Sequence, residues 1–194
     1  MEKLAPTKTL PANYTRQTTL DLSNRVSLLL LNLAALGLFT LCGMAFCLAA
    51  LRLRADFDLM TLFDWPIVSL FLLLAAIPVT LSVHEIIHGV FFWLYTRERP
   101  RFGFKGAYAY AAAPDWYLPR NQHIVVGLAP LIVISLGILL AAWLPLAALP
   151  ILIVCTTFNA AGAVGDLATV AWELTRARQA YVRDRGDIFE VYEP

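Results

Sequence analysis

The sequence predicts an all-α membrane protein, a bundle of about four transmembrane helices with a short β-like cytoplasmic loop. Three observations lead to this fold class. Of the 194 residues, 59% are hydrophobic and 15% are charged, with a mean hydropathy of +0.67, whereas soluble domains carry about 25% charged residues. Four apolar runs reach the roughly 20 residues that cross a bilayer as a helix. All five tryptophans lie at or just beyond the ends of these runs, where interfacial aromatic residues are enriched.

The apolar runs divide the chain into spans and connections. They cover residues 26–51, 66–96, 124–144 and 149–174. The first run is longer than the roughly 7–15 residues of a signal-peptide core and follows a polar segment, so it should remain as an anchor. We therefore expect a cytoplasmic N-terminal segment (1–25), a membrane-embedded domain (26–176) and a cytoplasmic tail (177–194).

The positions of lysine and arginine predict the orientation. Basic residues precede the first run and fill the connection between the second and third: Lys3, Lys8, Arg16 and Arg25, then Arg97, Arg99, Arg101, Lys105 and Arg120. Because basic residues concentrate on the cytoplasmic side, both termini and the 97–123 connection should be cytoplasmic. A net charge of +1 gives no basis for a nucleic-acid partner. Membrane lipid is the expected surrounding, and the oligomeric state stays open.

Two segments outside the apolar runs have distinct patterns. Residues 101–110 alternate aromatic side chains with Gly103 and Gly106 at turn positions, which predicts a short strand or hairpin on the membrane surface. The segment after Ala180 is charged and contains Gly186. It is interpreted as a loosely attached cytosolic tail.

Few ionisable residues fall inside the four spans. The acids and histidines at membrane depth are His84, Glu85 and His88 in the second span and Asp166 in the fourth. An aspartate at the bilayer centre costs roughly 3 kcal/mol on insertion scales, so such groups indicate a functional site. All four belong to residue types that build a zinc hydrolase.

The motif His84-Glu85-Ile86-Ile87-His88 is HExxH. On a helix, positions i and i+4 share a face, so both histidines can direct a ring nitrogen at one zinc ion. Glu85 would take a proton from the zinc-activated water and pass it to a leaving amine. Gly89, directly after the motif, would let another backbone approach closely.

The motif is specific for this composition. It arises in about one in a thousand shuffled sequences, and it lies inside a strong helical run as its chemistry requires. Two alternatives stay open. The histidines could be packed against polar neighbours in the bundle, or the site could bind or move ions without hydrolysis.

A hydrolytic zinc site usually has three protein ligands and an open position. Asp166 is the predicted third ligand, because its depth from the cytoplasmic end of its span matches that of His88 within about one helical turn. His123 and Glu173 compete for this role but lie nearer the ends of their spans. Asp115 and Asp184 are interpreted as solvated loop charges.

Other polar or small residues in the spans have two interpretations each. Asn159, seven residues before Asp166, could bind a substrate backbone or oxyanion, or could form a hydrogen bond between helices. Gly162 and Gly165 could allow close packing or a local distortion that aims Asp166. Pro78 could kink the second helix.

These residues resemble a zincin peptidase family of small bacterial membrane proteins, over about residues 70–192. The likeness consists of His84-Glu85-Ile86-Ile87-His88-Gly89, Phe102-Gly103-Phe104 and Asn159…Gly165-Asp166. They also resemble site-2 proteases, which pair HExxH in one transmembrane helix with an aspartate in a later one. Ala160 and Leu167 stand near positions where site-2 proteases carry proline and glycine. The resemblance therefore implies the zinc geometry more strongly than a substrate site.

The leading hypothesis is a multi-pass protein of the bacterial cell membrane that acts as a zinc metallopeptidase. It would hydrolyse peptide bonds in membrane or juxtamembrane segments of other proteins, with the strand-like loop offering an edge to an extended substrate. A non-catalytic metal-binding or accessory protein is the alternative, as is a zinc hydrolase acting on a non-peptide amide. Glu85 favours catalysis, since a structural zinc site needs no carboxylate beside the open position.

The orientation can be tested at Lys105. We expect Lys105→Cys to react with a thiol reagent only after the reagent is admitted to the cytoplasm, because the basic residues place this connection inside. Labelling of intact cells by an impermeant reagent would contradict the four-span arrangement. Cysteine-free protein provides the background.

Overall fold

The computed structural model describes residues 4–63, 67–104 and 109–194. Its secondary structure is mostly helical, with two small β-sheets. Trp65 and Lys105, which the sequence analysis used for the aromatic belt and the orientation, lie outside these residues.

Helices follow the apolar runs closely. They are α1 (Arg25–Leu53), α2 (Ile67–Thr96), α3 (Arg120–Ser135), α4 (Leu149–Gly162) and α5 (Val164–Leu174), with short 3-10 helices at Leu59–Leu62, Leu136–Ala142 and Leu146–Ala148. Across the part of the chain that the structure describes, three helices are long and apolar enough to cross a membrane, or four if the bent pair of α4 and α5 is one span. The four predicted spans therefore correspond to three or four helices of sufficient length and apolar character.

The apolar helices leave much of their surface uncovered. Leu33 and Leu36 of α1 are 59% and 64% exposed, and Phe71 of α2 is 66% exposed. Large apolar patches are rare on soluble monomers, and helices that are apolar on all sides suit a lipid environment. This surface is compatible with a membrane protein.

The expected all-α class is wrong, because the chain also forms a four-stranded antiparallel sheet. Its strands are β1 (Thr15–Asp21), β4 (Leu118–Pro119), β5 (Tyr181–Asp184) and β6 (Ile188–Glu193), in the order β1-β6-β5-β4. The sequence signal is weak because each strand is short. The partner of β1 lies at the opposite end of the chain, so no local pattern reveals the pairing.

The tail after Ala180 is ordered, and the expectation of a loose attachment is wrong. Val182 of β5 and Val191 of β6 pair directly and are fully buried, together with Ala180 and packed against Trp172. Burying two β-branched side chains contributes about 1.5–3 kcal/mol each. Of the charged residues that suggested a solvated tail, four lie on these strands (Arg183, Asp184, Glu190 and Glu193) and two lie between them (Arg185 and Asp187).

The strand-like loop is confirmed as a two-stranded antiparallel sheet. β2 (Arg101–Phe104) pairs with β3 (Ala109–Ala112), with Phe102 opposite Ala111 and Gly103 opposite Tyr110. A side chain on Gly103 would overlap the Tyr110 ring. The glycine is therefore required because Tyr110 lies across its backbone.

The chain forms two compact units. One comprises residues 1–31, 85–129 and 165–194, and the other comprises residues 32–84 and 130–164. The first contains both sheets and a core of Phe92, Ala113, Leu118 and Val126. The second has a core of Ala50, Phe57, Ile138, Ala141, Leu149 and Ile153.

The fourth apolar run is not one straight helix. α4 ends at Gly162, α5 begins at Val164, and the pair is bent by 42°. A side chain at Gly162 would meet only Leu81 at 3.7 Å, and one at Gly165 would meet nothing within 4 Å. Close packing therefore requires neither glycine, and the local distortion of the two predicted alternatives is what the structure shows.

Gly186 gives a test of the sheet. Its φ is +101°, and a β-carbon there would lie 2.8 Å from the Tyr110 ring. We expect Gly186→Ala to lower the free energy of unfolding by about 1–3 kcal/mol, because the strained backbone and the ring both oppose a side chain. Thermal unfolding in detergent measures the change.

Gly37→Ala is the matched control, since nothing lies within 4 Å of that position in α1. Alanine there should keep or raise the melting temperature, because it favours the helix by up to about 1 kcal/mol. Equal effects of the two substitutions would contradict the role assigned to Gly186.

Candidate metal centre

Helix α2 places the two motif histidines one turn apart on the same face. It runs unbroken from Ile67 to Thr96, and both His84 and His88 are buried, with 5% and 7% of their surface exposed. Buried imidazoles need hydrogen-bond partners for their polar nitrogens. The hydrogen-bond partner of each imidazole determines which of its two ring nitrogens can face a metal ion.

His88 has its Nδ1 atom 3.0 Å from the main-chain oxygen of Val126 in α3. A carbonyl oxygen can only accept, so Nδ1 of His88 carries a hydrogen and donates it to Val126. The other ring nitrogen, Nε2, lies 3.4 Å from Oδ1 of Asp166 in the first turn of α5. The Nε2 atom of His88 therefore faces the carboxylate.

His84 has the same arrangement with a different acceptor. Its Nδ1 lies 2.9 Å from Oδ1 of Asn159, which is fully buried in α4. The Asn159 amide nitrogen in turn donates to the main-chain oxygen of Pro130 at 3.5 Å. This bond orients the amide so that its oxygen faces His84 and accepts from Nδ1.

Asn159 thus makes the hydrogen bond between helices that was one of its two interpretations. Its amide contacts His84 on one side and Pro130 on the other. The oxyanion role stays a prediction. A residue that holds a histidine in one tautomer supports that histidine as a metal ligand.

The structure brings His84, His88 and Asp166 together. Each offers one ligand atom, and these atoms all lie within 4.8 Å of one another. Glu85, His88 and Asp166 belong to one unit, and His84 precedes Glu85 in the same unbroken helix. The pairing of His88 with Asp166 therefore lies within that unit, and the continuous helix α2 places His84 one turn before His88.

The donor set suits zinc. Zinc sites with an open position commonly have three ligands drawn from nitrogen and carboxylate oxygen, each about 2.0–2.2 Å from the ion. Ligand atoms at the corners of such a tetrahedron lie about 3.4 Å apart, and the separation of His88 Nε2 and Asp166 Oδ1 is 3.4 Å. The residues present therefore fit the ion.

Glu85 is not one of the three clustered donors. It is partly buried and follows His84 directly on α2. This separate position leaves it available for proton transfer beside the cluster.

The two competing ligands pair with each other. Nδ1 of His123 lies 2.6 Å from Oε1 of Glu173, and its Nε2 lies 3.4 Å from Oδ2 of Asp184. All three residues are buried, at 4%, 0% and 7% exposure. Both ring nitrogens of His123 face carboxylates, so neither His123 nor Glu173 joins the first cluster.

Asp184 corrects an expectation. It was interpreted as a solvated loop charge, but it is buried on β5, contacts His123 and accepts a hydrogen bond from the Gly186 amide. Asp115 does lie at the surface, in an ion pair with Arg101. The sequence carries no signal for the Asp184 contact, because it depends on the unpredicted strand.

Gly89 makes room for a side chain, whereas the sequence analysis expected a backbone. A β-carbon at Gly89 would lie 2.5 Å from the Phe102 ring and 3.1 Å from Pro100. Phe102, in β2, therefore packs directly after the motif. This contact joins the glycine after HExxH to the Phe-Gly-Phe segment.

Comparison with known proteins gives one match. A family model described as "putative zincin peptidase" matches residues 77–182, more than half of the chain. The matched region begins inside α2, includes the whole cluster and ends in β5. No curated protein and no solved structure matches the chain.

Asp166 and Glu173 allow a paired test of the third ligand. Asp166→Asn and Glu173→Gln make the same carboxylate-to-amide change two turns apart on α5. We expect Asp166→Asn to weaken zinc binding by more than about 100-fold, since losing a ligand costs more than losing a group that orients one. Competition with a fluorescent chelator measures the affinity.

Glu173→Gln should instead lower stability, by about 3–5 kcal/mol, because it replaces one of the two buried carboxylates that face His123 with a neutral amide. Its zinc affinity should stay within about threefold of the unchanged protein. Loss of zinc from Glu173→Gln alone would assign the third ligand to Glu173.

Proposed function

The chain belongs to the zincin peptidase family just described, and from this premise we propose that it is an intramembrane zinc metallopeptidase. It hydrolyses peptide bonds in membrane or juxtamembrane segments of other membrane proteins, as site-2 proteases do. The observation that carries the proposal is the shared orientation of His84 and His88. Each gives Nδ1 to an oxygen and leaves Nε2 to the cluster with Asp166.

The residues of the cluster have separate tasks. His84, His88 and Asp166 would hold the ion, and Asn159 and the Val126 carbonyl fix the two imidazoles. When bound, zinc lowers the pKa of a coordinated water to about 7 and polarises the scissile carbonyl. Glu85 accepts the proton from the attacking water and returns it to the leaving amine.

The surroundings support a membrane substrate. Helices α1 and α2 expose large apolar side chains along their length. Leu29 of α1 is 60% exposed, and Ile86, within the catalytic motif of α2, is 53% exposed. Lipid is the partner that such a surface fits. We place the protein in the bacterial cell membrane with both termini in the cytoplasm, as the basic residues indicate.

The β2–β3 sheet supports recognition of an extended peptide. Among the residues that the structure describes, β2 is paired only with β3, so its outer edge can accept another strand. Phe102 and Phe104 on β2 are 57% and 74% exposed. Since Phe102 packs against Gly89, a substrate strand added to β2 lies near the end of the catalytic motif.

Replacing Glu85 separates catalysis from metal binding. We expect Glu85→Gln to keep one zinc per chain and to lose about 10²–10⁴-fold in turnover, because Glu85 moves protons and is not a ligand. The protein is reconstituted in liposomes with bacterial membrane proteins. New peptide termini are counted by mass spectrometry.

Glu98→Gln is the matched control, a carboxylate-to-amide change just after the same helix. Glu98 is exposed and accepts hydrogen bonds from Lys8 and Trp116, so its loss should leave turnover unchanged. Full cleavage by Glu85→Gln would refute the hydrolase. Zinc binding without any cleavage by the unchanged protein would favour the non-catalytic alternative.

A further inference from the structure

Helix α3 contains a proline four residues after the carbonyl that holds His88. Pro130 lies inside α3 and is almost fully buried. In a regular α-helix, the N–H of residue 130 would donate to the carbonyl of residue 126. Proline has no N–H, so the Val126 oxygen loses its normal partner in the helix.

His88 takes the place of that missing donor. Its Nδ1 lies 3.0 Å from the Val126 oxygen, and both residues are buried, with Val126 1% exposed. A buried carbonyl left without a partner costs about 1–3 kcal/mol. The imidazole satisfies the carbonyl, and the carbonyl fixes the hydrogen of the imidazole on Nδ1.

Pro130 also takes part in the second histidine's network. Its own carbonyl accepts the weak hydrogen bond from the Asn159 amide nitrogen, and Asn159 accepts from His84. The same residue therefore lies behind the acceptors of both motif histidines.

We propose that Pro130 is a positioning residue of the metal centre. By withdrawing one N–H from α3, it leaves the Val126 carbonyl to orient His88 with Nε2 towards the ion. The inference rests on the proposed zinc function, because that function is what requires Nε2 of His88 to face the metal site. The proposal concerns a main-chain hydrogen bond. It predicts that the orientation of His88 depends on the missing N–H of residue 130 and not on the proline ring.

Two variants at position 130 test the effect of the missing main-chain N–H. Pro130→Ala restores an N–H that competes for the Val126 oxygen and draws it along the helix axis. Pro130→lactic acid, introduced by nonsense suppression, has the same methyl side chain with an ester oxygen in place of the N–H. Pro78→Ala is the control, because it restores an N–H in α2, six residues before His84.

We expect Pro130→Ala to weaken zinc binding about 10–100-fold, the range typical when a group that orients a metal ligand is lost. The lactic acid variant and Pro78→Ala should stay within about threefold of the unchanged protein. The absorption spectrum of the cobalt-substituted protein should change for Pro130→Ala only. Far-ultraviolet circular dichroism checks that all variants keep their helices.

A second measurement needs no metal and no turnover. The chain has three histidines, so selective ¹⁵N labelling gives three ring spin systems, assigned with single His→Gln variants. In the metal-free protein, His88 should carry its hydrogen on Nδ1. Pro130→Ala should shift part of the population to the Nε2 tautomer, and the lactic acid variant should not.

These outcomes separate the two proposals. Zinc binding without peptide hydrolysis would contradict the peptidase and leave the role of Pro130 intact. Equal zinc affinity and equal His88 tautomers in the Pro130→Ala and unchanged proteins would overturn the role of Pro130 alone. Equal losses in the alanine and lactic acid variants would also overturn it, because the ring would then be responsible.

Discussion

A buried imidazole must give its N–H to an oxygen, and much of the candidate centre follows from this constraint. In apolar surroundings an unpaired ring nitrogen is costly, so each motif histidine needs an acceptor from another helix. His88 uses a main-chain carbonyl and His84 uses a side-chain amide. Once those bonds form, both remaining nitrogens are fixed towards the cluster with Asp166 before any ion arrives.

The centre is joined to a second buried polar cluster that has a different composition. On α5, Asp166 faces His88 and, two turns later, Glu173 faces His123. The first set has two imidazoles for one carboxylate, which suits a cation. The second has one imidazole between two carboxylates, which suits an ion pair that ties α3 and α5 to the sheet. The same residue types therefore form a candidate metal site near the start of α5 and a buried ion pair near its end.

The sequence could predict the parts that depend on local pattern. Long apolar runs define α1 and α2, and the spacing within HExxH places His84 and His88 on one face. Asp166 could be predicted because few acids lie at that depth. An interhelical hydrogen bond was one of the two interpretations of Asn159, and the structure shows that bond to His84.

The remainder depends on contacts that have no sequence signature. The Val126 carbonyl is a main-chain group, so its residue type says nothing about its role, and only Pro130 could have indicated it. The sheet pairs β1 with β6 at the other end of the chain, and such long-range pairing is invisible to periodicity. Asp184 was misinterpreted for this reason, since its burial follows from the strand that carries it.

The four-stranded sheet also requires an even number of membrane crossings between its strands. β1 precedes α1, β4 directly precedes α3, and β6 follows α5, yet all three strands belong to one sheet. Strands of one sheet cannot lie on opposite faces of a bilayer. If the apolar helices cross it, the chain must return to the same face after α1 and α2, and again after α3 and the bent pair. If α1, α2 and α3 all cross the bilayer, one further crossing is needed to return β6 to that face, and the bent pair of α4 and α5 is the candidate for it.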